Sequence, residues 1–289
     1  SLFSFMGDDA SGQQLKNLLE HSGVDDFSLL DSSIPTTTKL RVLSQHQQLI
    51  RLDFEKPHHD IDATRLLGSY KKSLATANIV ILSDYGKGLL SDAQPFIKEA
   101  QQLSVPVLVD PKKPQFENYS GAYLLTPNQM EFEAVVGAWR NQSEMVERAA
   151  QVIQQCQLQG LLITQGGQGM TLLMKGHQAE HFPAHAQEVY DVTGAGDTVI
   201  ATLATGLASG KSVQDSVYLS CQAAGIVVGR VGTATVSVQD LQQLEQSEVH
   251  DHSSLEGKIV DQSELYTRLG ALKKQGKRIV FTNGCFDLL

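Results

Sequence analysis

The sequence predicts an α/β fold with a mostly parallel central sheet, and three observations lead to that prediction. Short apolar runs at residues 78–83 and 105–109 have the continuous hydrophobicity of strands that are covered on both faces. Helical segments, such as those at residues 61–75 and 143–156, alternate with strands along the chain. Polar or glycine-rich loops follow the strands directly, which is where open α/β sheets bind their ligands.

The composition indicates a globular chain that works on small molecules. Its 289 residues are 41% hydrophobic and 19% charged, and its net charge of −9 argues against nucleic acid or an anionic membrane surface as a partner. No apolar run approaches the length of a membrane span, and no signal peptide is recognisable. The three cysteines, Cys156, Cys221 and Cys285, are scattered, which is typical of a reducing compartment. We therefore expect a cytoplasmic protein.

Residues 191–198, with the sequence Asp-Val-Thr-Gly-Ala-Gly-Asp-Thr, connect a strand end to an apolar helical run. Gly194, Ala195 and Gly196 carry little or no side chain, so a ligand can approach the backbone closely. The N–H groups of a first helical turn lack intrahelical partners and lie at the positive end of the helix dipole, which suits a phosphate. Asp197 has two interpretations: a helix cap, or the base that takes a proton from an attacking hydroxyl.

This stretch resembles the C-terminal signature of the ribokinase, or PfkB-type, family of sugar kinases. The resemblance implies a ribokinase-like three-layer sandwich with a mostly parallel central sheet and a small β-sheet lid. It implies that Gly194, Ala195 and Gly196 form an anion hole and that Asp197 is the catalytic base. It also implies ATP and Mg²⁺ as cofactors and a phosphate-bearing sugar as a partner. We further expect a homodimer.

Two short strands around a glutamine-rich turn are predicted at residues 36–43 and 48–54. Apolar and polar residues alternate there, which places Lys39 and Arg41 on one face of a half-buried sheet. The pattern by itself favours a solvated face. Because the family has its lid here, the resemblance makes Lys39, Arg41 and Arg51 candidates for holding a phosphorylated sugar.

Two further candidates follow predicted strands. Asp84 opens the loop at residues 84–88, where it or Lys87 would face the substrate, although a turn held by glycines explains the loop equally well. Lys112 follows the strand at residues 105–109 and is a candidate phosphate contact. A solvent-exposed lysine after a proline turn is the alternative.

Residues 126–131, Thr-Pro-Asn-Gln-Met-Glu, end a strand and begin a helix. Asn-x-x-Glu is also the pattern of a helix cap followed by a glutamate at the third helical position. The segment resembles the part of the family that orders magnesium-bound water and phosphate beside ATP, which implies that Glu131 acts on the metal through water. A hard cation that keeps several waters needs only a carboxylate and an amide from the protein. The ATP-side candidates here are Asn128, Gln129, Met130 and Glu131.

A glycine-rich turn at residues 164–169 separates two apolar strands. It is not a Walker sequence, because no Gly-Lys-Ser/Thr follows it. Its Thr-x-Gly-x-x-Gly pattern matches the family's nucleotide-side loop, which makes Thr164, Gly166 and Gly169 candidates for ATP binding; a plain hairpin turn explains the run almost as well. The loop at residues 230–237 corresponds to a family segment near the adenine and, in some members, near a monovalent cation, and the sequence leaves its role open.

A polar stretch separates this region from the end of the chain. We predict a kinase domain over residues 1–244, a linker over 245–258 and the beginning of a second domain over 259–289. There a helix and a strand lead to Gly-Cys-Phe-Asp at residues 284–287, which resembles the opening of the Rossmann-like cytidylyltransferase family. We expect both ends of the chain to be cut, with the kinase family's Gly-Gly-x-x-Asn sugar segment preceding Ser1.

This arrangement resembles the bifunctional heptose 7-phosphate kinase/heptose 1-phosphate adenylyltransferases of lipopolysaccharide-core synthesis. The resemblance is carried by residues 38–44, 49–55, 83–85 and 188–193. It implies ATP-dependent phosphorylation of D-glycero-β-D-manno-heptose 7-phosphate at the anomeric hydroxyl, followed by AMP transfer to the 1-phosphate to give ADP-heptose. Two alternatives stay open. One is a related kinase for ribose, fructose phosphate or a nucleoside, and the other is an inactive nucleotide-binding fragment.

Overall fold

The computed structural model describes residues 1–44, 47–55, 62–184, 189–230 and 232–244, together with residues 265, 266, 269 and 272. Its contacts divide the chain into two compact units, Ser1–Val236 and Ser237–Leu289. The strands of the described part of the first unit are β1 (Phe5–Gly7), β2 (Leu29–Asp31), β3 (Thr38–Ser44), β4 (Gln47–Phe54), β5 (Val80–Ser83), β6 (Val107–Asp110), β7 (Leu124–Leu125), β8 (Gly160–Thr164), β9 (Met170–Met174) and β10 (Glu180–Phe182).

Seven α-helices accompany these strands in the described part of the same unit. They are α1 (Ala10–His21), α2 (Leu67–Leu74), α3 (Gln94–Gln102), α4 (Gln129–Val136), α5 (Gln142–Gln155), α6 (Ala195–Ala208) and α7 (Val213–Val228). Short 3₁₀ turns are found at Ala63–Leu66, Phe116–Tyr119 and Gly166–Gln168.

The central sheet has the strand order β10-β9-β8-β7-β6-β5. Its neighbours from β5 to β8 are parallel, because helical connections return the chain to the same edge of the sheet. The strands β9 and β10 extend the sheet in antiparallel fashion. The prediction of a mostly parallel central sheet is therefore confirmed, with one antiparallel edge.

Successive residues of the buried strands point to opposite sides of this sheet, so both of its faces are apolar. Helices cover both faces. In β6, Val107 and Val109 belong to a core with α2, α3 and α5. Leu108, between them, belongs to a second core with α6 and α7. Burying an aliphatic side chain of this size stabilises a fold by roughly 1.5–3 kcal/mol. The result is the three-layer sandwich that the resemblance implied.

Two small sheets lie outside the central one. Strands β1 and β2 form a parallel pair, and β3 and β4 form an antiparallel hairpin, which we call the lid hairpin. Its register pairs Lys39 with Asp53 and Arg41 with Arg51, so these four charged residues share one face. The opposite face is apolar and exposed, and it consists of Leu40, Val42, Ile50 and Leu52.

Some element boundaries differ from the prediction. The helix predicted over residues 61–75 consists of a 3₁₀ turn followed by α2, since Asp62 accepts the Thr64 N–H at 3.0 Å and caps the turn; residue 61 lies outside the described residues. Helix α6 begins at Ala195, four residues before the predicted apolar run. The second half of the motif, residues 195–198, therefore forms the first turn of α6.

The second unit is described only in part. Residues 238–244 are helical, and so are the four later described residues, which fall inside the helix predicted over 262–274. The predicted linker, the strand at 278–282 and the Gly-Cys-Phe-Asp sequence lie outside the described residues, so the domain boundaries remain a prediction. None of the helices in the described ranges is long and apolar enough to cross a membrane.

Candidate active site

Helix α6 is preceded by Gly194, whose φ of 81° is a left-handed conformation that favours glycine. Among the described residues, the N–H groups of Gly194, Gly196 and Asp197 have no acceptor. The Ala195 N–H instead donates to the carbonyl of Val192 at 3.2 Å. A Cβ at Gly196 would meet nothing within 4 Å, so the backbone borders open space there. Unpaired N–H groups at the positive end of a helix form a local anion site.

The core and a side-chain clamp fix the start of α6. Val199 and Ile200 are buried between this helix and the central sheet. Before the helix, the carboxylate of Asp191 accepts the Thr193 N–H at 2.9 Å and the Gly232 N–H at 3.2 Å. Hydrogen bonding by Thr193 is the main reason that the pKa of Asp191 lies below its usual range.

Asp197 is the third residue of α6 and is exposed. Its Oδ1 accepts a hydrogen bond from the hydroxyl of Tyr85 at 3.0 Å, across 112 positions of sequence. Within the described ranges, no N–H group of α6 donates to the Asp197 carboxylate. The helix-cap interpretation therefore has no hydrogen bond behind it, and the carboxylate is accessible to a ligand.

Asp84 is buried below the loop that carries Tyr85. Its carboxylate accepts the Gly86 N–H at 2.7 Å and the Tyr119 hydroxyl at 2.6 Å. Burial, and then this hydrogen bond, raise the pKa of Tyr119, so its phenol stays protonated as a donor. The geometry favours the turn alternative for Asp84. In the same loop, Lys87 forms an ion pair with Glu55 at 2.6 Å.

Asp110 ends β6 beside this loop and is half-buried. Burial raises the pKa of its carboxyl to about 7, and the negative charges of Glu131 and Asp197 add to the increase. Asp84 also lies within electrostatic reach of Asp110. We call Asp84, Asp110, Glu131 and Asp197 the acidic corner.

Asn128 and Glu131 form the capping box that their spacing also allowed. The Glu131 N–H donates to Asn128 Oδ1 at 2.9 Å, and the Asn128 N–H donates to Glu131 Oε2 at 3.0 Å. Lys112 Nζ donates to Glu131 Oε1 at 2.9 Å, and this hydrogen bond raises the pKa of Lys112. Gln129 and Met130 are exposed beside them. A cleft of about 250 Å³ is lined by Lys112, Asn128, Met130 and Glu131, among others.

The donor chemistry of this cleft fits a magnesium ion that keeps most of its waters. Mg²⁺ prefers oxygen ligands and is commonly held by one or two carboxylates together with substrate phosphates. Both oxygens of Glu131 already accept hydrogen bonds from the protein, so its contact with a metal would run through water. In the described part of the chain, no group of three His, Cys, Asp or Glu side chains could hold a metal by itself.

The glycine-rich turn lies next to the capping box, since Thr164 forms a parallel bridge with Asn128. Gly166 has a φ of 57° and borders open space. Gly169 has a φ of 91°, and a Cβ there would collide with the carbonyl of Phe182. Thr164 is therefore adjacent to Asn128, which lines the cleft, and the Gly166 backbone two residues later is open to approach. At Gly169, a side chain would collide with the neighbouring backbone, so close packing requires glycine there.

Lys39 and Arg41 are exposed on the charged face of the lid hairpin, and neither has an ion-pair partner among the described residues. Arg51 makes a bidentate pair with Asp53, at 2.8 and 3.0 Å, which lowers the pKa of Asp53. Arg41 is close enough to Asp191 to lower the pKa of that carboxyl. This places the charged face near the motif before α6. We call Lys39, Arg41 and Arg51 the basic lid face.

Sequence reasoning missed three side chains of this region. Tyr85 and Asp110 each neighbour a residue that was singled out, and their position at the carboxyl end of a strand was the available signal. Tyr119 gave no local signal, because its partner Asp84 lies 35 positions earlier.

The chain can now be compared with known proteins. The profile of the pfkB family carbohydrate kinases matches residues 1–240. The chain belongs to this family. Curated relatives include the "Bifunctional protein HldE" of Haemophilus influenzae, 46% identical over 289 residues, and that of Actinobacillus succinogenes, 47% identical over 289 residues. The chain spans 60% of the length of each of these relatives.

Solved structures show the same fold as this pfkB family member. The ribokinase of Arabidopsis thaliana, complexed with ribose and ATP, has a TM-score of 0.71 at 20% identity and covers 84% of this chain and 81% of its own. Phosphofructokinase-2 of Escherichia coli, in complex with potassium, has a TM-score of 0.70 at 17% identity and covers 85% of this chain and 81% of its own. The ribokinase-like fold prediction is confirmed.

Proposed function

We propose that this chain transfers the γ-phosphoryl group of ATP to the anomeric hydroxyl of D-glycero-β-D-manno-heptose 7-phosphate, giving the 1,7-bisphosphate. The observation that carries the proposal is the exposed carboxylate of Asp197 beside unpaired N–H groups at the start of α6. Similarity to the HldE proteins along all 289 residues supports this member of the kinase family over the others.

The mechanism is an in-line phosphoryl transfer. Asp197 accepts the proton of the sugar hydroxyl as its oxygen attacks the γ-phosphorus. The new oxygen–phosphorus bond forms while the bond to the β-phosphate oxygen breaks, and ADP leaves with that electron pair. The N–H groups of Gly194, Gly196 and Asp197 donate to the oxygens of the group in transfer, where they stabilise its negative charge.

ATP is the phosphoryl donor in this proposal, and the cleft beside α4 takes its phosphates. Glu131 would hold Mg²⁺ through water, and the ion supplies neutralisation of the phosphate charge. Lys112 lines the same cleft and is paired with Glu131 in the free protein, so it is in reach of a phosphate oxygen when ATP binds. A kinase assay in which sodium replaces potassium tests whether the activity depends on a monovalent cation.

The basic lid face supplies the recognition of the sugar phosphate. Lys39 and Arg41 are positively charged and form no ion pair within the described part of the chain, and hydrogen bonds from such groups to a phosphate are roughly twice as strong as neutral ones. The guanidinium of Arg51 is already held by Asp53, so Arg51 contributes less. A neutral sugar has no negative charge for these side chains to bind. Their presence therefore favours a substrate that carries a phosphate.

The direct test is a substrate panel assayed by ADP release with the full-length protein, ATP and Mg²⁺. The panel contains the heptose 7-phosphate, fructose 6-phosphate, ribose and a nucleoside. We expect kcat/KM for the heptose phosphate to exceed that for the unphosphorylated substrates by about 100-fold or more, because two charge-assisted contacts are lost without the phosphate. A preference for ribose or the nucleoside would assign the chain to the related kinases instead.

Calorimetry separates an enzyme from a module that only binds nucleotide. We expect ATP with Mg²⁺ to bind and the sugar phosphate to be turned over by the same preparation. Nucleotide binding without turnover of any sugar in the panel would contradict the kinase proposal and support the nucleotide-binding alternative.

The second half of the proposed activity, AMP transfer to heptose 1-phosphate, belongs to the whole protein. It is supported by the resemblance of residues 284–287 to nucleotidyltransferases and by the description of the relatives as bifunctional. The proposal places the protein in the cytoplasm, where ATP is available. Buried, unpaired Cys156 and Cys221 agree with a reducing compartment.

We also propose that the protein forms a homodimer through the apolar face of the lid hairpin. Leu40 and Ile50 are each 48% exposed there, and contiguous apolar surface of this kind marks contact sites. Light scattering is expected to give twice the monomer mass, and Leu52→Lys is expected to give the monomer. A monomeric parent protein would contradict this assembly.

A further inference from the structure

A single hydrogen bond joins the loop after β5 to the first turn of α6. The Tyr85 hydroxyl donates to Asp197 Oδ1 at 3.0 Å. The ring of Tyr85 is 55% exposed, so the residue is not explained by packing in the core. Its hydroxyl also has a hydrogen bond with the side chain of Ser83, and the contact with Asp197 is the one that crosses to α6.

The backbone that carries Tyr85 is held on both sides. Before it, the Asp84 N–H donates to the carbonyl of Asp110 at 3.0 Å, and the buried Asp84 carboxylate binds the Tyr119 hydroxyl. After it, Gly86 adopts a φ of 66° and donates its N–H to the same carboxylate. The buried Asp84 thus fixes the loop and presents Tyr85 toward α6.

The carboxylate of Asp197 has one oxygen engaged and one available. Oδ1 accepts from Tyr85, and Oδ2 has no hydrogen-bond partner among the residues that the structure describes. A carboxylate without an anchoring partner would rotate among several orientations, at a cost to the geometry of proton transfer. A donor on one oxygen reduces that freedom while the second oxygen keeps its lone pairs.

We propose that Tyr85 is a positioning residue: its hydroxyl holds Oδ1 of Asp197 and so reserves Oδ2 as the acceptor for the substrate hydroxyl. This inference rests on the proposed function, in which Asp197 is the base. It extends that function to a side chain that does not line the cleft beside α4.

Two other elements place groups around Asp197. From the loop after β5, Tyr85 donates a hydrogen bond to its carboxylate. From the end of β6, the carboxyl of Asp110 lies within electrostatic reach. Burial, and then the charge of Asp197, raise the pKa of Tyr85, so its hydroxyl keeps its proton through the neutral range and stays a donor to Asp197.

The test is Tyr85→Phe in the full-length protein, with kcat and KM measured for ATP and for the sugar phosphate at neutral pH. We expect kcat to fall about tenfold, with KM for both substrates within about twofold of the parent, because the hydroxyl orients the base and binds neither substrate. An unchanged melting temperature would show that the loss is not one of folding.

Two comparisons keep this inference separate from the proposed function. Tyr70→Phe removes a buried hydroxyl that donates to the carbonyl of Phe96, and it is expected to leave kcat within about twofold of the parent. A kcat that does not fall in Tyr85→Phe, while Asp197→Asn abolishes turnover, would overturn the role of Tyr85 and leave the proposed function standing. Absence of turnover in the parent protein on every sugar would overturn both.

Discussion

The acidic corner and the basic lid face differ in how the fold supports them. The corner stands at the carboxyl ends of strands in the central sheet and at the starts of α4 and α6, and Asp84 within it is only 4% exposed. The lid hairpin has two strands, with residues on both of its faces exposed. Two-stranded hairpins are marginally stable by themselves, so the lid hairpin has weaker support from the fold than the corner has. In the proposed function, the rigid corner carries the reacting groups and the lid hairpin recognises the sugar phosphate.

The two regions also differ in charge, and the proposed division of substrates between them follows from this difference. The corner has the same sign of charge as ATP, so phosphates would bind there only with a cation and with local N–H donors. The basic lid face has the opposite sign and would attract a phosphate without a metal. In the proposed function, ATP therefore belongs to the corner and the sugar phosphate to the lid.

The largest expected effect is on the corner. Asp197→Asn is expected to lower kcat by about a thousandfold or more, because the amide cannot accept the proton, while the affinity for ATP measured by calorimetry stays within about twofold. Asp215→Asn is the matched control, since Asp215 occupies the first turn of α7 without contact to the corner. Turnover that survives Asp197→Asn would reduce this residue to a structural role.

The next effect is on stability and concerns Asp110. Its pKa of about 7 in the folded protein, against 3.8 for a free side chain, means that the folded state keeps a proton that the unfolded chain releases. The stability contributed by the protonated form is complete below about pH 4 and is lost as the pH rises through 7. Asparagine does not ionise, so Asp110→Asn is expected to keep the free energy of unfolding that the parent loses as the pH rises. The difference is on the order of 3 kcal/mol at pH 8, as measured by urea unfolding.

Asp31 provides the control of opposite sign for this measurement. Hydrogen bonding by Ser33 lowers the pKa of Asp31, so its contribution is present above the unfolded pKa and is lost as the pH falls. Asp31→Asn is expected to destabilise the protein at neutral pH. Equal pH dependence in Asp110→Asn and the parent would contradict the raised pKa.

A smaller effect is expected from the lid. Arg41→Ala is expected to raise KM for the sugar phosphate by about 10-fold to 30-fold with little change in kcat, because one charge-assisted contact to the phosphate is lost. An unphosphorylated sugar should show no change. Lys16→Ala removes an exposed lysine of α1 and serves as the control. An equal loss for both kinds of sugar would contradict phosphate recognition by the lid.

The smallest effect concerns the link between the two regions. The ion pair of Lys87 with Glu55 joins the loop after β5, which carries Asp84 of the acidic corner, to the residue that follows β4. Both side chains are partly exposed. Glu55→Gln is expected to cost less than about 1 kcal/mol of stability and to raise KM for the sugar phosphate by about twofold at low salt only. Glu99→Gln removes the comparable pair with Lys71 and should leave KM unchanged.

Local sequence was sufficient for the elements and for the residues that belong to short motifs. Continuous apolar runs predicted β5 and β6, and alternation predicted the shared face of Lys39 and Arg41, because side-chain direction in a strand depends only on position. The spacing of Asn128 and Glu131 predicted the capping box that is present, whereas the proposed ATP-side role came from the family resemblance. The assignment of Asp197 as base came from the family resemblance.

The tertiary structure decided which groups act together. Only folding brings Tyr85 to Asp197 across 112 positions, buries Asp84 under its own loop and buries Asp110 beside other carboxylates, which raises its pKa. It also turns the Ala195 N–H back toward Val192, while the N–H groups of Gly194, Gly196 and Asp197 have no acceptor among the described residues. The physical reason is that periodicity and motifs report on neighbours along the chain, whereas burial, electrostatic field and hydrogen-bond partners depend on groups that are distant in sequence and close in space.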